Sequence, residues 1–276
     1  MRIWIISSGN DTLALFKMLA KYNHSYIIYH DQKNFPFGTK DFDFILQEIE
    51  KGIQFLQDKG VETIILDPIY ELYFSKYHLH NDQILPLFST YLQEYVFPFS
   101  LVGKLGILTD FWSKDLAQEL VNYQAQSHQL TEHQQAIKKF HFPFCYRVKS
   151  AKPWVLLIQD LWVHNPFLIK TMKNDLRFFK DANVDTFIPL HYRMFEMQRS
   201  IKACFNAHKT RFHDFSFLEQ SFCHLIEGIK KEEKSDYSLE IYSNQSMSFL
   251  LQETKLRRMM TKGWKVPYHF ENLSAL

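Results

Sequence analysis

Two stretches decide how this chain reads: ETIILDPIYEL at 62–72 and VDTFIPLHYRMF at 184–195. Each holds an apolar, β-branched run of the kind that forms a buried strand, and each run passes into a helical pattern, so Asp67 and Pro189 fall where strands end. A strand feeding a helix that leads to another strand is the connection parallel sheets require. In open sheets of that kind, ligands bind beyond the carboxyl ends of the strands.

The same alternation extends in both directions. RIWIISSGNDTLALFKMLAK at 2–21 reads as strand, polar turn and helix, and residues 31–66 lead through a loop and a helix into the strand ending at Asp67. VFPFS at 96–100 marks a crossover, after which VGKLGILTDFWSKDLAQELV at 102–121 repeats the opening arrangement. PFLIKTMKNDLRFFKDA at 166–182 predicts a helix before the second decisive strand, and another helix is predicted from about Met194 to Phe205. FLEQSFCHLIEGI at 217–229 then reads as a helix and YSLEIYS at 237–243 as a late strand. The predicted fold class is α/β, with two similar lobes, each a mainly parallel sheet flanked by helices, and a cleft between them. The first lobe spans 1–100 and the second 101–208.

Composition limits the function classes. The 276 residues are 46% hydrophobic and 22% charged, which fits a globular protein of one or two domains. Lys plus Arg number 32 against 30 Asp plus Glu, so no overall charge recommends a nucleic-acid partner. KEEKSD at 231–236 is mixed in sign and reads as a solvated connection. No apolar run approaches the ~20 residues that cross a bilayer, and no signal-peptide pattern precedes the first strand, so the expectation is a cytoplasmic protein with no membrane partner.

Cys145, Cys204 and Cys223 are odd in number and widely spaced, which suits packed free thiols in a reducing compartment rather than disulfides or a metal site. His78 and His80 in HLH, and His141 in KKFHF, lack the paired spacing of zinc ligands and read as loop or surface residues. The aromatic cluster YLQEYVFPF at 91–99 reads as core at a domain junction. Only 8 glycines and the lack of a phosphate-loop or dinucleotide fingerprint argue against a phosphate-cradling loop, and the Cys and His spacings give no expectation of a metal.

Several motifs, in order, resemble those of the glutamate racemases of the aspartate/glutamate racemase superfamily. They are Ser8-Gly9 in the first turn, Pro36-Phe37-Gly38-Thr39-Lys40, Lys59-Gly60-Val61, Leu105-Gly106-Ile107-Leu108-Thr109, and Val184-Asp185-Thr186 leading to His191-Tyr192. SLEIYSNQSMSFLLQE at 238–253 resembles the family's closing strand and helix. The resemblance spans nearly the whole chain. It implies that residues 209–276 return to complete the first lobe, that no cofactor is used, and that dimers are common. It also implies a site lined by Ser7, Ser8, Pro36, Phe37, Gly38, Asp67, Thr109, His191 and Tyr192, taking an amino acid or another small carboxylate.

The departures from the family pattern fall on the chemistry. Such racemases set one cysteine at the end of each of two strands, so that one thiolate removes the α-proton and the opposite thiol returns one. Where the family has Cys-Asn-Thr this chain has Asp67-Pro68-Ile69, and where it has Cys-Thr-His this chain has Pro189-Leu190-His191. Ser7 replaces an acid, and Phe37 replaces the tyrosine of a Pro-Tyr-Gly loop. Proline has neither a side-chain base nor a backbone N–H. Leu190 and Ile69 remove hydroxyls that would pair a carboxylate, whose burial without partners costs several kcal/mol.

Two functions are consistent with this reading. The first is a racemase-like protein without cysteine-dependent activity, retained as a small-molecule-binding, regulatory or partner-binding scaffold, with a homodimer or a protein partner. The second is a thiol-free racemase, isomerase or lyase acting on a small carboxylate with Asp67 and His191 as acid and base. Asp67 followed by Pro68 and an apolar run favours a cap on the helix that follows, and His191 is equally placed to hydrogen-bond within the fold. The sequence favours the first function, because thiols and substrate-pairing hydroxyls are lost together.

Overall fold

The computed structural model describes residues 2–8, 11–19, 22, 24–31, 40–57, 60–79, 81–109, 114–151, 153–154, 166–205, 215–227, 238–243 and 268–272. In chain order the elements begin β1 (Arg2–Ser8), α1 (Asp11–Leu19), β2 (Ser25–Asp31), α2 (Phe42–Gln57), β3 (Thr63–Leu66), α3 (Pro68–Lys76) and α4 (Leu87–Tyr91), which runs on as a π-helical turn, Leu92–Val96. They continue with β4 (Lys104–Thr109), α5 (Lys114–Ala125), α6 (Glu132–Ala136), β5 (Cys145–Ser150), α7 (Pro166–Asp181) and β6 (Thr186–Pro189). A 3-10 helix (Tyr192–Met197) leads into α8 (Gln198–Cys204), then α9 (Phe215–Glu227), β7 (Leu239–Ser243) and β8 (Tyr268–Asn272). The chain divides into two compact α/β units, Met1–Asp67 with Asn81–Leu85 and Ile229–Leu276, and Pro68–His80 with Pro86–Gly228.

The first unit holds a five-stranded sheet in the order β3-β1-β2-β7-β8, every pair parallel. Ile3, Trp4, Ile5 and Ile6 of β1 are all buried, the mark of a strand covered on both faces. Helix α2 turns Phe42, Ile45, Ile49 and Ile53 inward at helical spacing. Its start is fixed by Asp41, whose carboxylate accepts from the N–H groups of Asp43 (3.0 Å) and Phe44 (3.3 Å). Residues 81–85 lie beside β3, where Ile64 donates to Gln83 O at 2.7 Å and Leu85 donates to Ile64 O at 2.8 Å.

The second unit holds a three-stranded parallel sheet in the order β5-β4-β6 among the described residues. Helix α7 buries Leu168, Met172, Leu176 and Phe179. Gly106 of β4 lets that helix approach, since a Cβ there would stand 2.9 Å from both Phe179 and Val184. Gly103, at φ +72°, turns the chain into β4 where a Cβ would meet the His141 carbonyl oxygen at 2.1 Å. Of the aromatic cluster at 91–99, Tyr91 and Phe97 are core with Leu92 and Val96, whereas Tyr95 is half-buried and Phe99 is exposed. The Phe97 ring stacks on Phe144 with centroids 5.4 Å apart.

Both parallel α/β units follow the alternation read in the sequence, but the chain is divided differently. The crossover expected near residue 100 lies at Asp67, because α3 packs against α4 and α5. The return expected after His208 starts at Ile229, because α9 packs on α4, with Phe217 against Tyr95 at 5.1 Å and the His224 ring bonded to Glu94. The helix expected from Met194 to Phe205 is a 3-10 turn followed by a short α-helix. Cys145 is exposed rather than packed, since it opens the alternating edge strand β5. His78 and His141 are exposed, as read. His80, the KEEKSD run and residues 244–253 of the closing motif lie outside the described residues.

Candidate functional site

In each unit the predicted site residues stand at the carboxyl ends of neighbouring strands. In the first unit, Ile6 of β1 pairs with Leu66 of β3, and the Asp67 N–H donates to Ile6 O at 3.2 Å. Asp67 is therefore the first residue past β3, beside the end of β1 where Ser7 and Ser8 close the strand, and it is buried at 4% exposure. Pro68 follows as the first residue of α3, the position proline favours in a helix. Pro36, Phe37 and Gly38 lie outside the described residues.

In the second unit, Leu108 of β4 pairs with Pro189 of β6, and the Leu190 N–H donates to Leu108 O at 2.8 Å. Thr109, the last residue of β4, and His191, two residues past the end of β6, come to the same end of the sheet, where both are buried, His191 at 1% exposure. On the other side of β4, Ala151 donates to Thr109 O at 2.7 Å. His191 opens the 3-10 helix in extended conformation, and its carbonyl accepts from Met194 N–H at 3.0 Å. Tyr192 is drawn into the core, where its ring meets Phe88 of α4 edge-on at 6.3 Å. The 3-10 turn also buries Arg193 beside Glu196, with Nε 3.1 Å from a carboxylate oxygen.

Two buried carboxylates that the sequence reading left without a role are held by backbone. Glu71, one turn into α3, accepts from Phe88 N–H (2.8 Å) and Ser89 N–H (2.7 Å), the otherwise unbonded donors at the start of α4. Burial pushes its carboxyl up to about 7, against the pull of those bonds toward the charged form. Asp185, just before β6, accepts from Ser100 Oγ (3.0 and 3.1 Å), Val102 N–H (2.8 Å), Lys104 N–H (3.1 Å) and the Leu101 N–H. Its carboxyl is also raised, because burial outweighs the four donors. An acid inside an otherwise apolar run, Ile69-Tyr70-Glu71-Leu72 or Val184-Asp185-Thr186-Phe187, was the available signal, since such a group is buried only with partners.

No thiol stands at these strand ends. The three cysteines of the chain open β5 at its opposite end (Cys145), close α8 (Cys204) and lie within α9 (Cys223). Among the described residues no group of three His, Cys, Asp or Glu side chains converges to hold a metal ion. No described helix is long and apolar enough to cross a membrane.

Comparison with solved structures gives the fold a precedent. A glutamate racemase isoform of Bacillus anthracis superposes with a TM-score of 0.71 at 11% identity, over 98% of this chain and 97% of that one. The racemase of Francisella tularensis, solved with D-glutamate, gives 0.71 at 15% identity over 100% and 99%. That of Thermus thermophilus, solved with β-chloro-D-alanine, gives 0.69 at 13% identity over 100% and 98%. This chain has the glutamate racemase fold.

Sequence similarity is confined to a shorter stretch. A glutamate racemase of Halothermothrix orenii is 35% identical over 68 residues, 24% of this chain, so the match spans about 27% of that relative's length. No protein-family model matches. The racemase fold thus comes with carboxylate, proline and histidine, and no thiol, at the ends of β3 and β6.

Proposed function

We propose that this is a glutamate-racemase-like protein without cysteine-dependent racemase activity, retained as a scaffold that binds a small carboxylate or amino acid or acts through a homodimer or a protein partner. The observation that carries the reading is the chemistry of the two strand ends. Racemisation needs a base for the α-proton on one side of the substrate and an acid on the other. Asp67 follows β3, and β6 ends in Pro189 followed by Leu190, so neither end carries a thiol and the second offers no proton-transferring group until His191. Every cysteine of the chain stands elsewhere, so no short shift in register supplies the missing thiols. Ile69 and Leu190 in place of hydroxyl residues favour a ligand less polar than glutamate.

The test is α-proton exchange by NMR in deuterated water, with the folded protein and a panel including D- and L-glutamate and aspartate. Saturation-transfer spectra on the same samples read binding. Binding without exchange above a no-protein control is the expected result. Exchange that disappears in Asp67→Asn or His191→Ala would overturn the reading and establish thiol-free acid/base catalysis.

A further inference from the structure

Residues paired in register across a sheet share a face, so the first unit's five strands carry rows that run from strand to strand. One row is Ile65, Ile5, Ile28, Ile241 and Phe270. Two residues further along the same face, Ser7 pairs with His30, His30 with Ser243, and Ser243 with Asn272. Asp67, one residue past the Leu66 that pairs with Ile6, stands level with Ser7 and extends this row to the fifth strand. In sheet order the carboxyl edge reads Asp67, Ser7, His30, Ser243 and Asn272, all within the first unit.

Strand ends turn polar wherever they meet water, but here the change belongs to one edge. At the amino edge the same face reads Thr63, Ile3, Tyr26, Leu239 and Tyr268, and the first four of these are buried. Asp67 is itself buried rather than solvated. Ligands of open parallel sheets bind at the carboxyl edge, where this row supplies an acid, two hydroxyls, an imidazole and an amide.

The chemistry of the row is divided. Asp67 accepts from an ammonium or a hydroxyl and repels a carboxylate. His30 lies two strands away, about 10 Å at the backbone. It is the one residue of the row able to carry positive charge, and its ring donates a hydrogen bond in either protonation state. Asp11, which opens α1, and Asp31, which pairs with Ser8 on the opposite face, are acids and add no cation. A carboxylate that has lost hydroxyl partners at positions 69 and 190 needs another donor.

On the small-carboxylate reading above, we propose that His30 pairs the carboxylate of the ligand, with Asp67 taking that ligand's ammonium or hydroxyl across Ser7. Charge recognition then belongs to the second strand, which none of the sites read from the sequence includes.

The test is calorimetric titration of the full chain with D-glutamate, L-glutamate, L-malate and succinate, and with putrescine as a cationic probe. The acids bearing an ammonium or hydroxyl beside a carboxylate should bind more tightly than succinate, and putrescine should bind least. His30→Ala should weaken the tightest of them about tenfold or more, and His30→Lys should restore part of that loss. His141→Gln, which removes an exposed imidazole of the second unit, should bind as the parent does. In NMR spectra of the parent, the histidine ring signal that is missing from His30→Ala should shift as ligand is added. A parent that binds none of the acids would overturn the small-carboxylate reading itself. Binding by the parent that His30→Ala leaves unchanged, a ring signal that stays in place, equal binding of succinate, or tighter binding of putrescine would overturn the role of His30 alone.

Discussion

Glu71→Gln isolates the cost of a buried charge at the joint between α3 and α4. In the native protein the carboxyl titrates at about 7 rather than near 4.5, and its two oxygens accept from Phe88 and Ser89. Between those pH values the unfolded chain has released the proton while the folded chain still holds it, so stability falls as pH rises. It is highest below about 4.5, falls by roughly 1.4 kcal/mol per pH unit through the window, and levels off above about 7. The shift of about 2.5 units corresponds to about 3 kcal/mol in all. Glutamine keeps the shape and an acceptor oxygen without the titration.

Urea unfolding of the parent and Glu71→Gln, followed by tryptophan fluorescence from about pH 4.5 to about pH 8, reads the difference between the two stabilities. That difference should shift by about 3 kcal/mol in favour of the glutamine variant across the range, with its midpoint within the window. Asp185, whose carboxyl is also raised, is common to both proteins and cancels. A pH-independent difference would refute the reasoning. It would mean that the two N–H groups at the start of α4 hold Glu71 ionised throughout and that their field outweighs burial.

Asp185→Ala leaves Ser100 Oγ and the N–H groups of Leu101, Val102 and Lys104 without their acceptor, and should cost about 3–5 kcal/mol in denaturant unfolding. Asp185→Asn, which keeps one carbonyl acceptor, should cost less, and equal losses would show that charge rather than bonding matters there. Gly106→Ala places a methyl group 2.9 Å from Phe179 and Val184 and should lower stability by about 1–3 kcal/mol. Adding Phe179→Leu should recover part of that loss in thermal melts, and additive losses would place the strain elsewhere.

The alternation of strand and helix, the parallel connections and the missing thiols are properties of the sequence alone. Ile3 to Ile6, Ile64 to Leu66 and Leu105 to Leu108 are apolar runs too continuous for wetted strands, and residue identity settles that position 189 is proline. The strand-end positions of Asp67 and Pro189 followed from the same local patterns, whereas Thr109 and His191 were placed by the resemblance. Tertiary structure decided which unit each element joins and what the buried acids do. Glu71 meets donors 17 and 18 residues away, Asp185 meets donors 81 to 85 residues away, and Gln134 of α6 donates to the Phe97 carbonyl 37 residues away. A local window sees only that these side chains are polar amid apolar neighbours. Whether such a group is solvated or buried with partners depends on contacts that exist only once distant segments have packed. The same cause moved the expected boundary from residue 100 to Asp67, because α3 is adjacent in sequence to β3 but gains its packing from α4 and α5.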